Sequence, residues 1–324
     1  MIDPYGRRIT SLRITLTQRC NLSCFYCHRE GESGAEQNEM TPEELERIGR
    51  IGAELGIKRV KLTGGEPLVR RDIIDIIRAL APHMQEVSLT TNGTLLEGMA
   101  ENLKKAGLAR VNVSLDTLDE KRYMEITNNS TYGPDSVMRG IKRAVEVGLN
   151  PVKVNTVLLK GVNDEELDSL IDFTAKAGAI LQLIEFETTR EGERSEEYRR
   201  YHADLLPVEA RLEGLAEEIR YNELHRRKKY IFHRNGRRAE VEIVRPMHNS
   251  EFCANCSRIR LTSEGWLRGC LLTAYGSRDI LTPMREGASD GEIKELFEKV
   301  VASRRPYWTD NPAKQKEERA EARE

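Results

Sequence analysis

The stretch LRITLTQRCNLSCFYC, residues 12–27, decides how this chain is read. Its opening is apolar at Leu12, Ile14 and Leu16 and polar or charged between, the alternation of a half-buried strand. Three cysteines follow at once, at positions 20, 24 and 27. A strand that runs straight into soft metal ligands carries them on the loop at its C-terminal end. In parallel α/β folds that is where ligands gather.

Working outward, the strand signal recurs at 58–63, 86–91, 110–115, 152–159 and 180–187, with helical patterns between. TPEELERIGRIGAELG (41–56) opens with Thr41 as N-cap, Pro42 at the first helical position and Glu44 completing a capping box. Asn163 and Glu166 repeat the cap spacing before LDSLIDFTAKAG. Gly56, Gly107, Gly148 and Gly178 close four helical runs, where a left-handed residue commonly ends a helix. Six strand–helix units in a row predict a parallel sheet. The expected fold is α/β: a partial (β/α)6 TIM-like barrel over residues 1–190, with a doubly wound open sheet as the alternative. Residues 191–310 read as a separate C-terminal region with a hairpin at Asn235-Gly236, followed by a second group of cysteines. Residues 311–324 form a charged tail.

The 324 residues are 39% hydrophobic and 32% charged, enough for a large core, and the net charge of −2 offers no global pull toward nucleic acid or anionic membrane. No apolar run approaches the roughly 20 residues of a membrane span, and the N-terminus lacks a signal-peptide pattern. The expected location is cytoplasmic. In a reducing compartment, six cysteines in two groups of three point to metal rather than disulfides.

Cys20, Cys24 and Cys27 have the spacing C-x3-C-x2-C, and no fourth cysteine is near. Three thiolates suit a four-iron cluster that leaves one iron open to a ligand. Zinc closed by His28 is the alternative, made awkward by the adjacency of His28 to Cys27. The second group is Cys253, Cys256 and Cys270, where zinc completed by His248 is a stronger alternative. SRIRLT (257–262) alternates, so Arg258 and Arg260 share one strand face while Ile259 and Leu261 share the other. Two guanidiniums beside an open metal site form an anion-binding fork, pointing to a phosphorylated substrate, against the plainer reading of a solvated strand face. KLTGGEP (61–67) ends the second strand in glycines that admit a close backbone approach, and Thr90, Asn92 and Ser114 sit at later strand tips.

The motif C-x3-C-x-Y-C resembles the radical S-adenosylmethionine superfamily. The resemblance implies a [4Fe-4S] cluster whose open iron chelates S-adenosylmethionine, and a deoxyadenosyl radical that abstracts hydrogen. FCANCSRIRLTSEGWLRGC (252–270) in turn resembles the second cluster segment of the GTP 3′,8-cyclase family. Both motifs occur in that family's order between Arg13 and Cys270. This implies two [4Fe-4S] clusters, one on Cys20, Cys24 and Cys27, the other on Cys253, Cys256 and Cys270, and makes residues 191–310 a C-terminal auxiliary-cluster domain and GTP-binding region. It implies contacts to S-adenosylmethionine from Tyr26, Gly65, Ser114 and Glu187. GTP contacts would come from Arg13, Lys61, Thr90, Lys153, Arg258, Ile259 and Arg260. The implied reaction removes the ribose 3′ hydrogen and joins C3′ to C8 of guanine, opening molybdenum cofactor biosynthesis. Cyclic pyranopterin monophosphate synthase would take the product and an electron donor would be needed; a homodimer fits, while nucleic acid and membrane are not expected partners.

Lys61 and Lys153 lie on strands, where a cation pointing into a barrel needs an anionic partner; a strand-edge lysine facing water is the equal alternative. Two positions depart from the family pattern: Glu187 stands where methionine is usual, and the chain ends AEARE rather than Gly-Gly. Two rival readings stand beside this one. One is a radical enzyme with an auxiliary cluster acting on a peptide or another nucleotide. The other is a zinc-binding nucleic-acid module, supported by the basic run HRRKKYIFHRNGRR (225–238).

Overall fold

Thr41 starts the first helix as its spacing predicts. Its hydroxyl accepts from the Glu44 N–H, and the Glu44 carboxylate accepts from the Thr41 N–H at 2.8 Å, giving α1 (Pro42–Glu54) both halves of a capping box. The computed structural model describes residues 1–32, 39–222 and 224–309. The expected charged tail lies outside the described residues.

The alternating runs form β1 (Ser11–Thr15), β2 (Arg59–Thr63), β3 (Glu86–Thr91), β4 (Arg110–Ser114), β5 (Lys153–Leu158) and β6 (Ile180–Glu185). They lie side by side in chain order, all parallel. The helices between them include α1, α2 (Ile73–Leu80), α3 (Leu96–Lys105), α4 (Glu120–Thr127), α5 (Pro134–Glu146) and α6 (Leu167–Ala177). Leu12, Ile14, Val60, Leu62, Leu89 and Val111 are fully or almost fully buried between sheet and helices. Each such side chain contributes roughly 1.5–3 kcal/mol. Their strand neighbours Ser11, Arg13 and Lys61 face the opposite, concave side and line a cavity. Gly56, Gly107, Gly148 and Gly178 all adopt positive φ, at 90°, 107°, 78° and 73°.

One cap does not form as expected. The Asn163 side chain accepts no helix N–H; it donates to the carbonyls of Asp116 and Val157 and accepts from Leu159 N–H. Glu166 accepts from Thr117 and Leu118 and pairs with Arg122. Both side chains therefore staple the ends of β4 and β5, because strand-end donors lie closer than the helix that starts at Leu167.

The C-terminal strands complete the same sheet. They are β7 (Glu218–Tyr221), β8 (Lys228–Arg234), β9 (Arg237–Val244), β10 (Arg258–Leu261), β11 (Trp266–Arg268) and β12 (Arg278–Asp279). β9 adds parallel to β6 and β10 adds parallel to β1, so the order is β12-β11-β10-β1-β2-β3-β4-β5-β6-β9-β8-β7. The partial barrel is thus flanked on both sides by strands from the region after residue 190. β8 and β9 form the hairpin at Asn235-Gly236. The basic run around it is largely spent on internal ion pairs: Lys228 with Glu213, Lys229 with Glu240, and Arg234 with Asp168 and Asp172.

Candidate active site

The concave face encloses a cavity of about 790 Å³, within the usual range of a small-molecule site. Register explains its chemistry. Arg260, Arg13 and Lys61 are Cα partners across β10, β1 and β2, so three cations stand in one row pointing the same way. Ten Lys and Arg residues against six Asp and Glu line the cavity, although the whole chain carries net −2. The positive charge is concentrated here by topology.

Several cations lack counter-charges. Lys61 donates to Asn112 Oδ1 at 2.8 Å and has no carboxylate partner among the described residues; burial, then Arg110, Arg13 and Arg258, push its pKa well below the ordinary lysine value. The Arg258 side chain makes no hydrogen bond or ion pair among the described residues; burial, then Arg13 and Arg260, lower its pKa. Lys153 is different. It donates to both oxygens of Glu242 at 2.7 Å, and although burial lowers its pKa to about 8, Glu242 opposes the shift. The anionic partner expected for a strand lysine is thus found for Lys153 in Glu242, whereas among the described residues Lys61 has only the Asn112 amide.

Cys20, Cys24 and Cys27 line the cavity directly, on the loop after β1. Burial raises the Cys20 and Cys24 pKa values, and their sibling thiols add to both shifts. The backbone N–H groups of Leu22 and Arg29 donate to Cys20 and Cys27 Sγ at 3.4 Å. In the second group, Trp308 N–H donates to Cys253 Sγ at 3.4 Å and Arg304 Nη2 to Cys256 Sγ at 3.5 Å. Cys253 and Cys270 likewise feel their sibling thiols. Three thiols in electrostatic reach of one another, with N–H groups on two sulfurs of each trio, fit a four-iron cluster at each place. Among the described residues no three His, Cys, Asp or Glu side chains converge on one point as a single ion requires. Cluster thiolates stand further apart because each binds its own iron. His248, the candidate fourth zinc ligand, bonds Glu193 at 2.8 Å and stacks on Trp308.

Tyr26, Gly65, Ser114 and Glu187 all reach the cavity wall, as do Arg13, Lys61, Thr90, Lys153, Arg258 and Arg260. Ile259 does not. It is fully buried in the core on the other face of β10, so only its backbone could meet a ligand. The cysteines of the second group are not among the lining residues, although their neighbours Phe252, Ser257 and Leu271 are. Gly65 has a local reason to be glycine: a Cβ there would stand 2.3 Å from Arg19 O, so β2 can dock on the cysteine loop only without a side chain. Tyr26 Oη donates to Asp116 Oδ2 at 2.5 Å, and burial raises Asp116 to about 6.

Sequence reasoning passed over several wall residues. Glu30 bonds Arg260, Thr63 and Arg13 from a turn in left-handed backbone, a conformation costing roughly 1–2 kcal/mol per non-glycine residue. Arg304 ties Cys256 to Asp3. His225 is buried with Nε2 unpartnered, stacked on Phe252 at 3.7 Å between ring centroids. The one visible signal was the run HREGE directly after Cys27.

Comparison with known proteins agrees with this geometry. The Radical SAM superfamily matches residues 14–174, and the Molybdenum Cofactor Synthesis C family matches residues 179–310. The solved structure of Streptococcus suis SuiB bound to S-adenosylmethionine superposes with a TM-score of 0.62 at 20% identity, over 89% of this chain and 68% of that one. The fold and the first cysteine loop define a radical S-adenosylmethionine protein. Probable GTP 3′,8-cyclases of Pyrococcus horikoshii and Methanosarcina mazei are 52% and 48% identical over 311 and 315 residues. These alignments span 96% and 95% of this chain and 99% and 90% of the relatives. The chain belongs to the GTP 3′,8-cyclase family.

Proposed function

We propose that this protein is a GTP 3′,8-cyclase, forming (8S)-3′,8-cyclo-7,8-dihydroguanosine 5′-triphosphate in molybdenum cofactor biosynthesis. The observation that carries the reading is the cationic cavity lined by one cysteine trio and by sequence neighbours of the other. Its excess of four positive side chains, with Lys61 and Arg258 lacking carboxylate partners, matches a polyanion of triphosphate size.

With two [4Fe-4S] clusters and S-adenosylmethionine bound, the site gains the one-electron chemistry that removes a ribose hydrogen. The chain supplies orientation. Cys20, Cys24 and Cys27 would hold the first cluster at the barrel mouth; Tyr26, Gly65, Ser114 and Glu187 line the adjoining wall for the cofactor. Arg13, Lys61, Arg258 and Arg260 would fix the triphosphate, with Thr90 and Lys153 further along the same wall. Cys253, Cys256 and Cys270 would hold the second cluster beside the part of the wall formed by Phe252, Ser257 and Leu271. Holding both ends of the nucleotide sets C3′ and C8 in one reactive geometry, and the enclosed wall excludes other hydrogen donors.

The same reading makes the protein cytoplasmic, dependent on an electron donor, compatible with a homodimer, and the supplier of cyclic pyranopterin monophosphate synthase. Among the described residues no helix is long and apolar enough to cross a membrane. The deciding experiment is anaerobic reconstitution followed by dithionite, S-adenosylmethionine and GTP. The expected result is 5′-deoxyadenosine formed together with a cyclised nucleotide; deoxyadenosine in an uncoupled trickle with no cyclised product overturns the reading.

A further inference from the structure

The turn that follows the first cysteine trio is built into the wall around the second. Arg29, Glu30 and Gly31 run through left-handed backbone at φ 46°, 53° and 71°. From that turn Glu30 accepts from Arg260 at 2.6 Å, Thr63 at 2.9 Å and Arg13 at 3.4 Å. The Gly31 carbonyl accepts from Arg268 at 2.8 Å. Glu32 accepts both the backbone N–H and the hydroxyl of Ser263. A Cβ on Gly31 would stand 3.0 Å from Leu271 O, one residue past Cys270. Among the described residues, Glu30 is the carboxylate paired with both Arg13 and Arg260, and neither arginine has another.

Arg13 and Arg260 are register partners on adjacent parallel strands, so their like charges are held together by the sheet itself. One carboxylate offsets one of the two. A di- or triphosphate brings enough charge for both and more oxygens for their N–H forks. We propose that Glu30 is a built-in stand-in for substrate phosphate. It holds the Arg13–Arg260 pair until a polyphosphate displaces it, and displacement frees the first cysteine loop from the second cysteine segment. The inference rests on the polyphosphate reading of the cavity. Glu30 lies three residues after Cys27, so its release is felt directly on the loop that carries the first trio. The strained turn supports this use: non-glycine residues stay left-handed only where surrounding contacts hold them, and here those contacts are to Arg260, Thr63, Arg13, Arg268 and Ser263. Anion occupancy and loop state are then reciprocally linked.

The test uses full-length, anaerobically reconstituted holoenzyme, with inorganic tripolyphosphate and GTP as separate probes. Affinities are compared for wild type, E30Q and E30D, and hydrogen exchange is followed at residues 28–32. The expected result is about tenfold tighter tripolyphosphate binding by E30Q, with E30D near wild type. Exchange at 28–32 should rise when tripolyphosphate binds wild type and start raised in E30Q. Unchanged or weaker tripolyphosphate binding by iron-replete E30Q overturns the proposal, because Glu30 is then a permanent strut. If E30Q fails to fold or hold iron, wild-type exchange decides: no rise at 28–32 on tripolyphosphate binding overturns it. Failure of the GTP reading looks different, since E30Q would then gain tripolyphosphate affinity while GTP bound neither protein. Absence of tripolyphosphate binding to both proteins overturns both.

Discussion

The two cysteine groups share a ligand count and sit in opposite electrostatic settings. Cys20 and Cys27 are exposed, and beyond burial the groups that raise the Cys20 and Cys24 pKa values include Glu66, Asp116 and the sibling thiols. All three thiols of the second group are half-buried. Burial also works to raise Cys256, yet Arg304 and Arg258 bring it down overall. A thiolate trio among carboxylates suits a partner that arrives with positive charge, as the sulfonium of S-adenosylmethionine does. A trio backed by arginines suits an anion. On the proposed function, the neighbours that each strand end meets would turn the same metal chemistry toward different ligands.

The strongest way to break this comparison is to remove one thiolate from each side. C24A and C256A should each lose about half the iron and sulfide, and each should lose cyclisation by about a thousandfold or more. They should differ in 5′-deoxyadenosine, which C24A abolishes and C256A still forms; equal loss in both would erase the division of labour. Metal analysis and product chromatography read this.

E242Q comes next. It leaves Lys153 buried without its carboxylate and should cost about 3–5 kcal/mol in denaturant unfolding. A near-neutral result would mean that Lys153 can turn to the cavity. R258A removes a cation that has no carboxylate partner among the described residues and that adjoins Cys256 of the second trio. GTP affinity should fall about a hundredfold, or about 3 kcal/mol, while S-adenosylmethionine affinity holds, as measured by titration.

D116N sharpens the first side and has the smallest effect. Burial raises the Asp116 pKa from 3.8 to about 6 in the folded protein. The folded state therefore holds this proton more tightly than the unfolded one, and that contribution is full below pH 3.8 and is lost as pH rises through about 6. Wild type should lose about 2–3 kcal/mol more than D116N across that window, measured by unfolding at its two ends.

Much of the scaffold was legible one segment at a time. The Thr41 capping box, the four helix-ending glycines, the six alternating strands and the hairpin turn are decided within a few residues of themselves. The same local rule failed at Asn163, whose side chain found strand-end groups from Asp116 to Leu159 instead of its own helix. Gly65 was legible as a place of close backbone approach, but the sequence pointed to a ligand, whereas the neighbour that a side chain would strike is Arg19 O of the cysteine loop.

By itself the sequence determined the ligand types, their loop positions and the periodicity that makes a parallel sheet. Only the tertiary structure decided which charges meet. Lys153 finds Glu242 across 89 positions and Arg260 finds Glu30 across 230. Neither pairing leaves a local trace, because a charged residue facing a cavity and one facing water obey the same strand alternation. The sheet register brings Arg260, Arg13 and Lys61 into one row, and that row concentrates positive charge in one cavity of a chain of net charge −2.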